Sequence, residues 1–291
     1  MWAAAAVLLA GGLWSLQGVT IRWIATMPSE EIVFWRNLGQ FSVLIAWVVA
    51  RSRGGLLGAF RSAGRPALLG GLFQSISSLC IVFAFAYTTV ANVAFIMSSA
   101  PFVVAIIAWL VLGERLSARA TAAMAAGVFG VGVMMLEGLE SGRLFGNALA
   151  FVTTLGFAAL TIVLRWGRQA DMVPTVCWGA LIGITTGLVL TEARLEAPPA
   201  DVALCLVMGG GQIATGQILY IVASRHVTAA LLAFLSLSEI VLSPLWAWLG
   251  ASEVPSALTL AGGSIVLAAL MSQTAVGAAR TAQRQRRSTR S

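Results

Sequence analysis

A single glutamate, Glu239, has the clearest chemical potential in this chain, because it lies in the middle of a long apolar run. Ser236 precedes it by three residues and Ser243 follows by four, so a helix would place both hydroxyl groups on its face. A charged carboxylate is costly inside a membrane unless it is paired or hydrated. The pattern therefore favours a hydrated surface, on which Glu239 could bind an ammonium group or carry a coupling proton. The alternative is a structural ion pair with Arg36.

Patterns typical of catalysis or metal binding are absent from the sequence. The chain has no lysine, which excludes a Walker A lysine and a Schiff base. Its one histidine, His226, lies at a predicted helix end, where a polar cap is the simpler role. Cys80, Cys177 and Cys205 occur singly, so we interpret them as small packing residues. We therefore predict no enzyme activity, no cofactor and no bound metal.

The composition places these residues in a lipid bilayer. Hydrophobic residues make up 59% of the chain and charged residues 10%, whereas soluble domains carry about 25% charged residues. Apolar runs of roughly 20 residues recur throughout, and in lipid such runs form spanning helices. The first run is too long for a signal peptide and is interpreted as a retained helix. Ten spans are predicted, near residues 3–24, 30–50, 66–87, 90–112, 118–137, 145–166, 173–190, 201–222, 227–250 and 256–274.

The arginines predict the orientation of these spans. All 18 basic residues are Arg. With both termini in the cytoplasm, 14 of them fall on the cytoplasmic side, and only Arg22, Arg143 and Arg194 fall outside. This distribution obeys the positive-inside rule, and it explains the net charge of +7 without nucleic-acid binding. Arg36 remains within the second span, where we expect it to reach the membrane surface as an anchor.

The chain is predicted to contain two copies of one unit. Residues 86–117 align without a gap with residues 225–256, and ten of the 32 positions are identical. The identities include Thr, Ser, Trp and Glu, which a shared apolar composition would not align. Each copy would hold five spans, and because five is odd, the second copy must be inverted in the membrane. We predict a first repeat at residues 1–140, a second at 141–274, and a basic cytoplasmic tail at 275–291.

One part of the repeat resembles a known family. Ala91, Pro101 and the run 109–117 (WLVLGERLS), followed by a Gly-rich helix, resemble the signature of the EamA-type drug/metabolite transporters. The resemblance implies an all-α integral membrane protein, with two inverted five-helix repeats around a central cavity. In the second copy Ile240 replaces the proline and Pro244 follows four residues later. We therefore predict bends at Pro101 and Pro244.

Polar and aromatic residues form stripes on six of the predicted spans: the first, third, fourth, sixth, eighth and ninth. The resemblance implies that these six line the cavity. Hydrogen bonding between helices is the simpler interpretation of any one stripe, but together the stripes favour a substrate path. Besides Glu239 and its two serines, the predicted path residues are Trp14, Gln17, Gln74, Ser78, Phe95, Ser99, Thr154, Phe157, Gln212 and Tyr220.

The predicted function is export of small organic metabolites by alternating access, in the inner membrane of a bacterium. Among family members the chain looks most like the bacterial exporters of aromatic and hydrophobic amino acids. Aromatic walls, amides and one carboxylate suit such an amphipathic solute, and no basic cluster is predicted at the centre to bind phosphorylated sugars. The alternative is a proton-coupled efflux pump for lipophilic cations that uses Glu239. A membrane enzyme or scaffold is the third interpretation.

Overall fold

The computed structural model is helical in each part of the chain that was predicted to span the membrane. It describes residues 2–24, 26–52, 55–112, 118–140, 142–166, 172–224, 226 and 229–288. Ten helical segments, here numbered as the first to tenth spans, coincide with the predicted spans. They are Trp2–Ser15 with Gln17–Trp23, Ser29–Arg51, Gly55–Tyr87, Val90–Met97 with Ala100–Leu112, Ala118–Glu140, Leu144–Trp166, Val173–Leu190, Pro199–Leu206 with Val207–Ala214 and Thr215–Ser224, Ala229–Ala251, and Ala257–Ser288.

The length and polarity of these helices confirm an all-helical, multi-pass membrane protein. Within the described residues, seven helices are long and apolar enough to cross a bilayer. Shorter apolar helices occur at Thr121–Leu136 and Ala257–Ser272. A helix satisfies its own backbone hydrogen bonds, which is why these apolar runs adopt it.

Two segments outside the predicted spans are also helical. The predicted connection 52–65 forms a helix from Gly55, which joins the third span across a kink at Gly64. Gly64 has a φ of 61°, in the left-handed region that favours glycine. The tenth helix continues to Ser288 and includes most of the basic tail. The first segment contains Ala, Leu and Arg, and the tail is rich in Ala, Gln and Arg. These residues are strong helix formers, and their preference outweighs the loop signals.

Besides the kinked third span, three of the described spans depart from a regular α-helix. The fourth is broken at Ser98 and Ser99, with Pro101 in the first turn of its second half, where a missing N–H costs nothing. The helix is interrupted just before Pro101, and the bend predicted at that residue stays a prediction. The ninth helix runs without interruption through Pro244, so a bend at that residue stays a prediction. The first span has a turn at Leu16, and the eighth widens into a π-helix at Val207–Ala214.

The packing of the spans follows the proposed repeat. The first span packs on the eighth and ninth, and the sixth packs on the third and fourth. The second packs on the seventh, and the fifth on the tenth. The contacts of each span are repeated by the span five places further along, counting on from the tenth to the first. The first span's contacts with the eighth and ninth thus correspond to the sixth span's contacts with the third and fourth. The amide of Val90, at the start of the fourth span, donates to Glu253, just beyond the end of the ninth. The two matched segments therefore run in opposite directions where they meet, which supports an inverted repeat.

Small residues bring the fifth and tenth spans into backbone contact. A Cβ atom added to Gly130 would lie 2.7 Å from the carbonyl oxygen of Gly262, and one added to Gly262 would lie 2.6 Å from that of Gly130. Neither backbone can move away without separating the helices. Such close crossings supply van der Waals packing, which is the main attraction between helices in lipid.

We expect Gly130→Val to destabilise the bundle, because the new side chain must push the tenth span away. Overpacking of this kind typically costs about 1–3 kcal/mol. Gly132→Val is the matched control on the same helix, since no atom lies within 4 Å of a Cβ added there. Thermal unfolding of the two purified variants in detergent tests the difference. Equal melting temperatures would show that the glycine crossing does not hold these spans together.

Candidate functional site

Arg36 lies inside the bundle, not at the membrane surface. Its side chain is among the buried polar groups, at 3% exposure. One terminal nitrogen, Nη1, donates to the Gln17 amide oxygen at 3.2 Å, and the other, Nη2, donates to the Ser78 carbonyl at 2.9 Å. Nη2 also donates to the Ser78 hydroxyl. The predicted surface anchor is therefore wrong, because Arg36 joins the first, second and third spans.

The bonding around Arg36 continues through Asn37. The Ser78 hydroxyl donates to the Asn37 amide oxygen at 3.0 Å, and the Asn37 amide nitrogen donates to the Val33 carbonyl at 2.7 Å. Hydrogen-bonded chains of this kind fix the positions of their members in a low-dielectric interior. Two predicted path residues, Gln17 and Ser78, thus meet at an arginine that the sequence analysis had placed elsewhere. We call Gln17, Arg36, Asn37 and Ser78 the Arg36 cluster.

The π-helix of the eighth span lies against the second span beside this cluster. Gly209 is so close to the Arg36 carbonyl that no side chain would fit at that position. The Gln40 amide nitrogen donates to Gln217 at 2.9 Å, and the Gln212 amide nitrogen donates to the Thr20 hydroxyl at 2.9 Å. π-Helical turns interrupt regular helices rarely, and frequently at functional sites. The second and eighth spans therefore bring amide groups together where the helix is irregular.

Three buried polar atoms in this region have no hydrogen-bond partner in the described structure: Arg36 Nε, Gln40 Oε1 and Gln212 Oε1. Leaving a buried donor or acceptor unpaired costs about 1–3 kcal/mol. Such a cost is usually explained by water, by an ion or by a ligand. One donor and two acceptors are thus available for a small polar molecule.

An aromatic pair borders the same part of the eighth span. The indole nitrogen of Trp14 donates to the Ile213 carbonyl at 3.3 Å, and its ring packs over Gly216. The rings of Trp14 and Tyr220 are 5.4 Å apart between centroids and tilted by 44°. Both side chains are half-buried. Two further predicted path residues thus lie together and form an apolar surface.

Glu239 faces the first span at mid-length. A Cβ atom added to Gly11 would lie 3.9 Å from the Glu239 Cβ. Among the described residues, the half-buried carboxylate has no hydrogen bond or ion pair, so the alternative pairing with Arg36 is not observed. Ser243 donates instead to the Glu239 carbonyl at 2.8 Å, while the side chain of Ser236 lies outside the described structure. Glu239 therefore needs water, a cation or a proton.

Within the described residues, the remaining predicted path residues share no hydrogen bond with the Arg36 cluster. The hydroxyl groups of Ser99 and Thr154 are buried and donate to carbonyls of their own helices. Phe95 packs on Gly263 of the tenth span. The last two are Gln74, whose stem packs on Gly179 of the seventh span, and Phe157, which is partly exposed.

A second polar cluster, missed by the sequence analysis, ties one end of the bundle. Arg22 Nε donates to the Glu253 carboxylate at 2.9 Å, and the other guanidinium nitrogens donate to the carbonyls of Phe85 and Thr88. The Glu253 carboxylate also accepts from the Val90 amide. Arg22 and Glu253 form what we call the clasp. It joins the ends of the first and third spans to the start of the fourth and to the connection after the ninth.

Asparagines extend this bonding to further spans. The Asn92 amide nitrogen donates to Asn147 at 3.1 Å, and the Asn147 amide nitrogen donates to the Met134 carbonyl at 3.0 Å. Thr259 donates to the Asn92 amide oxygen. The fourth, fifth, sixth and tenth spans are therefore linked at the clasp end. The sequence signals for this cluster were the repeat matches of Glu253 with Glu114 and of Arg22-Trp23 with Arg165-Trp166.

We expect Arg22→Gln and Glu253→Gln each to lower the melting temperature, because each leaves a half-buried charge unpaired. The side chains of the pair are 27% and 16% exposed. A loss of about 1–3 kcal/mol is therefore expected, between the values for exposed and buried pairs. In a double-mutant cycle, the double variant should lose less than the sum of the single variants.

The matched control for the clasp is Arg194→Gln. Arg194 and Glu192 form an ion pair at 3.7 Å in which both side chains are 77% exposed. Breaking an exposed pair should leave the melting temperature nearly unchanged. Strictly additive losses at Arg22 and Glu253 would contradict the coupling that we ascribe to the clasp.

Known proteins resemble this chain in sequence or in fold. The pseudopaline exporter of Pseudomonas aeruginosa strain UCBPP-PA14 is 26% identical over 249 residues, which cover 84% of this chain and 86% of the exporter. Its counterpart in strain PAO1 is 26% identical over 250 residues. A crystal structure of another protein has a TM-score of 0.62 over 92% of this chain and 95% of that one, at 18% identity, which is a likeness of fold. Residues 1–136 match the EamA-like transporter family.

Proposed function

We propose that this protein exports small organic metabolites by alternating access, and that amino acids with aromatic or hydrophobic side chains are among its substrates. The observation that carries the proposal is the set of unpartnered polar atoms around the Arg36 cluster, next to the Trp14–Tyr220 pair. An aromatic surface with a few placed polar groups is typical of sites for small amphipathic molecules. The similarity to a pseudopaline exporter supports export of a metabolite.

The symmetry of the packing supports the mechanism. Inverted repeats provide two near-equivalent conformations, which expose the site to one side of the membrane at a time. The clasp joins four spans at one end of the bundle, so opening that end requires Arg22 to separate from Glu253. We place the clasp on the outer face of a bacterial cytoplasmic membrane, with both termini inside. The distribution of arginines supports this orientation.

Glu239 supports both this proposal and a second one. In an amino-acid exporter, its unpartnered carboxylate would bind the ammonium group of the substrate. In a proton-coupled pump for lipophilic cations, it would exchange a proton for the cation. The two functions differ in their substrates and in their need for a pH gradient.

Purified protein in liposomes should exchange internal for external labelled phenylalanine, and the exchange should not require a pH gradient. Unlabelled phenylalanine inside the vesicles should accelerate uptake, because alternating access exchanges substrates. Empty liposomes are the control. Ethidium transport that requires a pH gradient, without phenylalanine exchange, would favour the cation pump instead.

We expect Glu239→Gln to lower phenylalanine exchange by about tenfold or more, because the neutral amide cannot attract an ammonium group. The variant should fold normally, since in the described structure the carboxylate bonds to no other residue. Glu196→Gln, at an exposed position, is the control for the loss of a negative charge. Exchange per folded molecule and melting temperature should both be measured. Normal exchange by a stable Glu239→Gln variant would remove Glu239 from the path.

A further inference from the structure

We propose that Arg36 is the point at which the protein binds a carboxylate group of its substrate. The inference deepens the proposed function, and it rests on it: it assigns the substrate class as small organic acids that also carry N–H or O–H donors. It concerns an arginine that the sequence predicted to be a surface anchor.

The first argument is the charge of Arg36. A guanidinium carries its charge at any physiological pH, and this one is 3% exposed. The groups that accept its described hydrogen bonds are neutral: an amide, a carbonyl and a hydroxyl. A buried charge normally has a partner of opposite sign. Within the described structure Arg36 has none, so the position is suited to an anion.

The acidic residues on the same side of the bundle are already engaged. Glu31 accepts hydrogen bonds from the Trp35 indole at 3.1 Å and from the Ala197 amide at 3.0 Å. Asp201 accepts from the backbone amide and the hydroxyl of Thr26. Both carboxylates lie where the second and eighth spans begin, and neither is bonded to Arg36. The charge of Arg36 is therefore left for a ligand.

The second argument is the geometry of the donors. Gln17 and Ser78 hold the two terminal nitrogens of the guanidinium, while Nε has no partner. A guanidinium presents several N–H groups in one plane, and carboxylates accept from such planar sets with high specificity. Because the Arg36 cluster fixes the plane, little rotational freedom would be lost when an anion binds. An arginine whose guanidinium is already held in place in this way is well suited to bind a substrate anion.

The third argument is the pair of free acceptors. Gln40 follows Arg36 by four residues, one helical turn away, and its Oε1 has no partner. Gln212 lies in the π-helix three residues after Gly209, which packs on the Arg36 backbone, and its Oε1 also has no partner. A cation with two acceptors nearby matches a molecule that carries an anion and hydrogen-bond donors. Amino acids and related carboxylates have this character, whereas lipophilic cations lack the anion.

The guanidinium is covered in this conformation, so the substrate must reach it in another. Gly209 covers the Arg36 carbonyl, and Gly210 packs beside Gly39. Movement of the eighth span away from the second would open the contact between Gly209 and the Arg36 backbone, beside the free amide oxygens of Gln40 and Gln212. Alternating access requires a movement of one repeat against the other, and these two spans belong to different repeats.

Three labelled compounds with the same ring test this assignment: phenylalanine, its amide, and phenethylamine, which lacks the carboxyl group. Wild-type protein in liposomes should exchange phenylalanine about tenfold faster than the other two at low concentration. Arg36→Gln should remove this preference by lowering exchange of phenylalanine alone, and Arg36→Lys should keep part of it. Arg194→Gln is the control for loss of an exposed arginine.

A binding measurement on the wild-type protein covers the case in which Arg36→Gln does not fold. Phenylacetate, which has the carboxylate but no amine, should raise the melting temperature in detergent, and phenethylamine should raise it less. No stabilisation by either phenylacetate or phenylalanine would overturn the inference, whatever the variant does.

The failure of this inference can be told apart from the failure of the proposed function. If the wild-type protein exchanges phenylalanine and a folded Arg36→Gln variant does so equally well, the function stands and the carboxylate site is wrong. The same holds if Arg36→Gln slows all three compounds equally, because the role of Arg36 is then structural. If carboxylates stabilise the protein but none of the three compounds is exchanged, the site stands and the proposed amino-acid export is wrong.

Discussion

The high cost of an unpaired polar group in lipid is the constraint on which this structure depends. Every backbone group in a span must be satisfied within its own helix, so the spans themselves offer little that can bind one helix to the next. Close packing and side-chain hydrogen bonds supply that contact. In this bundle the hydrogen bonds converge on two arginines, at the clasp around Arg22 and at the cluster around Arg36, beside single bonds such as that from Gln40 to Gln217. The Arg36 guanidinium ties the second span to the first and third. The Arg22 guanidinium ties the first span to the end of the third and to the connections at Thr88 and Glu253.

The same constraint gives the two clusters different roles. At the clasp, the arginine meets a carboxylate, and asparagines and threonines continue the bonding to further spans. Its charges are balanced, which suits a contact that holds an end of the bundle closed. At Arg36 the acceptors are neutral, and the neighbouring glutamine oxygens are unpartnered. That imbalance is suited to a ligand, because a substrate carboxylate can supply what the protein lacks.

The sequence predicted the helices well, because the length and number of apolar runs can be read along the chain without knowledge of its contacts. The ten helices lie within a few residues of the predicted spans, apart from the segment that begins at Gly55 and the extended tenth helix. The close meeting of Gln17 and Ser78 could not be predicted in the same way. Helical spacing shows which residues share a face, but not which face of another helix they meet. Arg36 illustrates this: its depth suggested a surface anchor, whereas its face points inward. The π-helix and the asparagine bonding depend on the same three-dimensional contacts.

The repeat also distinguishes the residues that hold the bundle together from those assigned to substrate binding. The two residues of the clasp have counterparts in the other half of the sequence. Glu253 matches Glu114, and the pair Arg22-Trp23 matches Arg165-Trp166. Glu114 and the side chain of Arg165 lie outside the described structure. A contact that must form at each end of the path in turn has to be encoded twice, once in each repeat. The charges assigned to the substrate are encoded once. Ala100 stands at the position of Glu239, and the run 175–179 (TVCWG), which corresponds to Arg36, contains no arginine. This asymmetry follows from the proposed transport, because one site is reached from both sides of the membrane and binds a substrate with two unlike ends. The scaffold can therefore be symmetric while the site cannot.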